Sequence, residues 1–254
     1  MSQKPSATTP TKSSSKSKQH DVVSPTISDY KLTLISNSVL VSIIAYLLVR
    51  IYKKEAIYTD CNDYFRMGFR QNGIYEIQPD ADNLRSKLNV YCNMTAGGWT
   101  VLFRRSDKSE INFQNSYQVY KNGFGDLNSD HFLGLENFHL LTKYKNRQLL
   151  AVMNDTSYRF GNFKVLSEFN HYKLIIDNEI DKFIDDSSLL LLNNSLFSTI
   201  DLDYDLAVNS NCSSGWKAGW WFTDCFDRSM CLTCLIMHGN AGVKRLFNSA
   251  FLIK

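Results

Sequence analysis

Within F-S-T-I-D-L-D-Y-D-L-A-V-N-S-N-C-S-S-G-W-K-A-G-W-W-F-T-D-C, from Phe197 to Cys225, three tryptophans and two glycines fall inside seven residues, between two cysteines. Indole rings are costly to leave in water, so the fold has to give Trp216, Trp220 and Trp221 an apolar surface. Gly215 and Gly219 let backbone approach that surface closely. Cys212 and Cys225 could close a short loop around them. Such a loop suits a small-ligand pocket with an aromatic wall, and the same residues suit a plain hydrophobic core.

Just before this loop, Asp201, Asp203 and Asp205 alternate with Leu202 and Tyr204. In an extended segment the three carboxylates project to one side. Like charges this close repel unless something neutralises them, and Ca²⁺ does so with oxygen ligands from carboxylates, carbonyls and water. The small, polar run from Ala207 to Asn211 can turn carbonyls toward an ion. The helical calcium loop is excluded, because its central Gly and closing Glu are missing. A solvated acidic loop is the other reading of the same aspartates.

The protein has 254 residues, 44% of them hydrophobic, which is enough for one or two domains with a real core. Its net charge of +3 comes from scattered residues, so nucleic acid is not an expected partner. Leu32 to Val49 is a run of eighteen residues without a charge, flanked by Lys31 and by Arg50, Lys53 and Lys54. That length reaches a membrane span, but basic residues on both sides leave its orientation open. All six cysteines follow the run, and disulfides need an oxidising compartment. We therefore expect a type II anchor in the cell membrane with the C-terminal part outside, a secreted protein being the alternative. Sequons at Asn93, Asn154, Asn193 and Asn211 agree with an extracellular glycoprotein.

Four regions follow. Residues 1–31 are a disordered Ser/Thr/Lys-rich cytoplasmic tail, 32–49 a transmembrane signal-anchor, 50–59 a short stalk and 60–254 a globular domain. The stalk carries no heptad pattern, so self-association is left open. Strands are expected at Asn72–Ile77, Leu88–Met94, Trp99–Arg105, Leu149–Met153, Phe163–Leu166 and His171–Ile176. Tyr117–Leu127 is mixed, and His131–Thr142 is helical around F-H-L-L-T. The class is α+β, with many short antiparallel strands, few helices and a late irregular region.

Asp60-Cys61, Val90-Tyr91-Cys92, G-G-W-T-V-x-x-R-R at Gly97–Arg105, Y-K-N-G-F-G-D-L at Tyr120–Leu127, F-L-G-x-x-N-x-H-L-L-T at Phe132–Thr142, F-S-T-x-D-x-D at Phe197–Asp203 and G-W-W at Gly219–Trp221 occur in one order. Together they resemble the fibrinogen C-terminal globular domain shared by fibrinogens, ficolins, tachylectins, tenascins and angiopoietins. The resemblance implies disulfides Cys61–Cys92 and Cys212–Cys225. It also implies a Ca²⁺ site from the side chains of Asp203 and Asp205 and the carbonyls of Ala207 and Asn209. In lectin-like members a neighbouring pocket takes acetyl groups, and the matching residues are Trp220, Trp221, Phe222, Asp224 and Cys225.

After Cys225 the sequence departs from the family pattern. The usual tyrosine-rich segment is replaced by Phe226–Cys234 and a shortened tail ending in Phe251–Lys254. Cys231-x-x-Cys234 lies outside the pattern and suits a local disulfide or an intermolecular one better than a redox pair, because no thioredoxin-like βαβ context precedes it. The leading expectation is a non-enzymatic, membrane-anchored, Ca²⁺-supported module that binds carbohydrate or acetylated glycans. The alternative is an extracellular protein-binding adhesion or receptor-ligand head that has lost the acetyl pocket.

Overall fold

The computed structural model describes residues 37–47, 57–180, 188–225, 231–234, 236–238, 243–245 and 248–254. The protein divides into two units, Met1–Ala56 and Ile57–Lys254. In the first, residues 37–47 form a helix (α1) whose side chains are exposed. Among the described residues no helix is long and apolar enough to cross a membrane. The rest of the uncharged run and the tail at 1–31 lie outside the described residues.

The second unit begins earlier than the sequence suggests. Ile57–Thr59, read above as stalk, belongs to it: the Tyr58 carbonyl accepts from the Gln78 N–H at 2.7 Å, and the Tyr58 ring stacks on Tyr64 at 3.9 Å. Asp60 then caps helix α2 (Cys61–Arg66), its Oδ1 accepting the Asp63 N–H at 3.0 Å.

Strands β1 (Gly73–Ile77), β2 (Leu88–Asn93) and β3 (Trp99–Arg105) form a meander. Helix α3 (Tyr117–Asn122) and the short strands β4 (Phe124–Gly125) and β5 (His131–Phe132) resolve the mixed region, with β5 pairing β3. Helix α4 (Leu135–Thr142) follows, then β6 (Arg147–Met153), β7 (Thr156–Val165) and β8 (Leu174–Glu179). Helix α5 (Cys212–Trp216), the small hairpin of β9 (Ile236–His238) and β10 (Val243–Arg245), and β11 (Ser249–Ile253) complete the described elements. The main sheet runs β1-β2-β3-β11-β6-β7-β8, antiparallel throughout. The last strand is therefore central, with Phe251 opposite Phe103 on β3 and Ala151 on β6.

Two strand expectations shift. Phe163–Leu166 is the end of the longer β7, because the β6–β7 hairpin continues the pairing from a turn at Asn154. The strand placed at His171–Ile176 starts three residues later, since His171 and Tyr172 hold positive φ of 53° and 47° after a 3₁₀ turn.

One face of the sheet packs Phe103, Phe132, Phe163, Phe251 and Trp220 into a continuous aromatic core. A smaller cluster of Trp99, Val101 and Leu252 lies apart from it, which explains why β3 is buried almost along its length rather than alternating. Both implied disulfides are formed, Cys61–Cys92 joining α2 to β2 and Cys212–Cys225 closing the tryptophan loop. Cys231 and Cys234 also bond to each other, which settles the open reading of that pair in favour of a local disulfide.

The Asp60 carboxylate also forms a buried ion pair with Arg147, whose Nε donates to the Leu141 carbonyl at 2.9 Å. Arg147→Met would leave the carboxylate buried and alone, so it is expected to lower the unfolding free energy by about 3–5 kcal/mol in chemical denaturation. A loss near zero would mean that the pair does not hold the domain entrance to β6.

His131 on β5 is 1% exposed, and burial, opposed by its Nδ1 contact with the Ser129 carbonyl at 3.0 Å, keeps its pKa below the ordinary value. The unfolded protein takes up this proton near pH 6.5 (roughly) and the folded protein only below that. Stability from neutral His131 is thus complete above about pH 6.5 and declines as pH falls below it. His131→Gln should flatten the decline in melting midpoint between about pH 6.5 and pH 5; an unchanged slope would assign the acid sensitivity to other groups.

Candidate functional site

The Phe197–Cys225 segment is held from inside. Ser198 and Trp220 exchange both backbone hydrogen bonds, at 2.9 and 3.1 Å, which lays the two arms of the segment side by side. The buried Tyr120 hydroxyl on α3 donates to the Phe113 carbonyl at 2.5 Å and accepts the Gly219 N–H at 2.9 Å. A Cβ at Gly219 would meet the Tyr120 ring at 2.6 Å, so this position has no room for one.

The tryptophans separate by role. Trp220 is 1% exposed and packs on Phe103 and Phe251, while Trp221 is fully buried against Phe197, its Nε1 donating to the Tyr172 carbonyl at 2.7 Å. Both indoles are core, and neither offers a face to a ligand. These are two of the residues that the resemblance implies for the acetyl pocket. Trp216 is only partly buried, and its Nε1 donates to the Cys225 carbonyl at 3.0 Å. Asp224 is exposed, Cys225 is partly buried and Phe222 is 4% exposed.

The loop closed by Cys231 and Cys234 supports this arrangement. Thr233, between the bonded cysteines, donates its hydroxyl to the Gly219 carbonyl at 2.8 Å, and Ser249 of β11 donates to the Leu232 carbonyl at 2.6 Å. Arg105 donates to the Thr233 carbonyl and lies over the Phe113 ring at 4.5 Å. Burial pulls the Arg105 pKa down to about 10.

The three alternating aspartates also divide. Asp201 accepts from the Thr199 hydroxyl at 2.7 Å and from the Tyr117 N–H at 2.8 Å, so it caps α3 from a distant loop. Asp203 is exposed, and its Oδ1 accepts the Asp205 N–H at 3.2 Å. Asp205 accepts from Ala207 N–H and Cys212 N–H, both at 2.9 Å. Burial raises the Asp205 pKa, those two N–H groups oppose the rise, and the neighbouring Asp203 carboxylate adds to it. Asp205 also lies within 4.8 Å of the Cys212 and Cys225 sulfurs, but these are bonded to each other and are not thiolates that could ligate a metal. Ala207 is partly buried and Asn209 exposed along the same loop.

Among the sequons, Asn154 and Asn193 are exposed, the latter accepting the Ile176 N–H at 3.1 Å through Oδ1. Asn93 is half-buried and braces its own turn through Oδ1. Asn211 caps α5, and its amide nitrogen donates to the Thr199 carbonyl at 3.1 Å.

Between the aspartate loop and the turn at residues 193–196 lies a cleft of about 360 Å³, lined by Lys173, Asn194, Tyr204, Leu206, Phe222 and Thr223 among others. Phe222 is legible as a candidate from sequence. Lys173 and Leu206 are not, because they lie on segments far apart in sequence with no shared motif.

This chain belongs to the fibrinogen family, by its match at residues 57–241 to the model of the C-terminal globular domain of fibrinogen beta and gamma chains. It is 36% identical to fibroleukin of Homo sapiens over 187 residues, covering 70% of this chain and 42% of that protein. Over 180 residues it is 33% identical to angiopoietin-related protein 2 of Mus musculus, covering 68% of this chain and 35% of that protein. The match thus spans less than half the length of these relatives. The fibrinogen-like globe domain of human ANGPTL6 superimposes with a TM-score of 0.66 at 27% identity, over 78% of this chain and 96% of that one.

Tyr120→Phe would leave the Gly219 N–H and the Phe113 carbonyl unpaired in the core, a loss of about 1–3 kcal/mol for each group. Gly219→Ala adds a clash of about 1–3 kcal/mol. Both variants should lower the denaturation midpoint, and a wild-type midpoint in either would show that the tryptophan segment is anchored elsewhere.

Proposed function

We propose that this protein is a non-enzymatic, extracellular recognition head that binds a protein partner, and that it has lost the acetyl pocket of lectin-like relatives. The observation that carries this reading is the self-occupied face at Cys225. Trp216 bonds the Cys225 carbonyl, and Trp220 and Trp221 lie inside the core, so the side chains that would grip an acetyl methyl are engaged internally. Leu206 and Val208 on the aspartate loop are instead 78% and 93% exposed, an apolar edge suited to burial against another protein. The similarity to fibroleukin and angiopoietin-related proteins supports the same direction.

Ca²⁺ belongs to this reading as a support for the loop. Two carboxylates side by side, one of them partly desolvated, form a donor set that a divalent cation relieves, so Asp203 and Asp205 fit the ion. The ion would supply fixed positive charge there, while the Cys212 and Ala207 N–H groups orient the Asp205 carboxylate. Three disulfides suit an oxidising compartment, and the uncharged run at 32–49 would tether the head as a type II membrane protein.

The full-length protein, solubilised and shown to be folded, is passed over N-acetylated resin in Ca²⁺ and melted with and without the ion. No retention is expected, together with a Ca²⁺-dependent rise in melting midpoint that Asp205→Asn removes. Retention reversed by free acetate would restore the carbohydrate reading and overturn this one.

A further inference from the structure

The cleft beside the aspartate loop has a chemistry that the proposed protein-binding role does not by itself specify. Its walls come from Lys173 just before β8, the turn at residues 193–196, the aspartate loop (Tyr204, Leu206) and the arm leading to Cys225 (Phe222, Thr223). These walls are fixed to one another by backbone hydrogen bonds. Leu206 N–H donates to the Thr223 carbonyl at 2.8 Å, Asn194 N–H to the Leu174 carbonyl at 2.8 Å, and Leu174 N–H to the Ser195 carbonyl at 3.0 Å. Tyr204 is further held by the His171 ring at 4.2 Å. The cavity is therefore preformed rather than a gap between mobile loops.

Its polarity is asymmetric. Phe222, nearly buried, forms an apolar surface, and Leu206 extends that surface to the rim. Lys173, half-buried, lines the same cleft, and the described residues provide no ion pair for it. A lysine that lines a partly apolar cleft without a carboxylate partner is the half of an ion pair that a ligand can complete.

We propose that this cleft receives a carboxylate borne next to an apolar side chain of the protein partner, the carboxylate on Lys173 and the apolar group on Phe222 and Leu206. This rests on the protein-binding reading above and names the chemistry that the partner must present. A C-terminal carboxylate and an Asp or Glu side chain share that chemistry, and the test separates them.

Three fluorescein-labelled peptides serve as probes for the folded full-length protein by fluorescence anisotropy: Gly-Ser-Ala-Phe with a free carboxyl end, the same sequence as its amide, and Gly-Asp-Phe-Ala amide. We expect at least one acidic probe to bind about tenfold or more tighter than the neutral amide. Preference for the first assigns a C-terminal carboxylate, and preference for the third an acidic side chain. Lys173→Met should bring the acidic probe down to the level of the amide, and Leu206→Ser, at an exposed rim position, should weaken it while leaving the melting midpoint unchanged. Equal binding of all three probes, or acidic-probe binding that survives Lys173→Met in a folded variant, overturns the proposal.

A parallel measurement keeps the two readings apart. If cells that capture the wild-type protein through a protease-sensitive surface protein capture Lys173→Met equally well, the cleft is not the partner's docking point, and the protein-binding reading stands. If the wild type captures no protein at all while the acidic probes still discriminate, the protein-binding reading fails and the carboxylate specificity of the cleft is retained.

Discussion

The paired backbone hydrogen bonds between Ser198 and Trp220 are the constraint on which the functional region depends. They fold the segment back on itself so that the aspartate loop and the Cys225 arm emerge side by side, with Trp220 and Trp221 driven inward between them. Burial of two indoles supplies the driving force, and the Tyr120 hydroxyl supplies the register by accepting the Gly219 N–H.

The route of the backbone ties this region to the whole domain. The closing strand β11 lies between β3 and β6, so the sheet is complete only once the last residues are in place. Ser249 at the start of that strand holds the bonded Cys231–Cys234 loop, and the loop in turn holds Gly219 through Thr233. This bonded loop acts as a clamp on the tryptophan segment. The buried Arg105 is part of the clamp, with its charge placed over Phe113 and against the Thr233 carbonyl rather than against an acid.

Much of this is legible in the residues. The turn at Gly97-Gly98 before a run of β-formers and the F-H-L-L-T helix carry their signal locally, the two disulfide pairings follow from the family resemblance, and each is found in the structure. What sequence cannot separate are roles decided by distant partners. Asp201, Asp203 and Asp205 look alike in sequence, yet the first caps α3 because Tyr117 happens to lie against it. Trp216, Trp220 and Trp221 likewise look alike, and only the sheet and α4 decide which rings become core. Lys173 carries no signal at all, because its place in the lining of the cleft depends on segments distant in sequence.

A recognition domain can change its ligand class without changing its fold when internal groups take over the positions that once faced a ligand. In the function proposed above, the Trp216 indole on the Cys225 carbonyl closes one face, and the cleft next to the aspartate loop stays open. The most direct test of that account is residue-resolved hydrogen exchange of the indole N–H groups in the folded full-length protein. The account predicts that the Trp216 indole proton exchanges slowly, protected like that of Trp221, which donates to Tyr172. Exchange of the Trp216 proton at the rate of a free indole would contradict it, because the Cys225 face would then be open to a ligand.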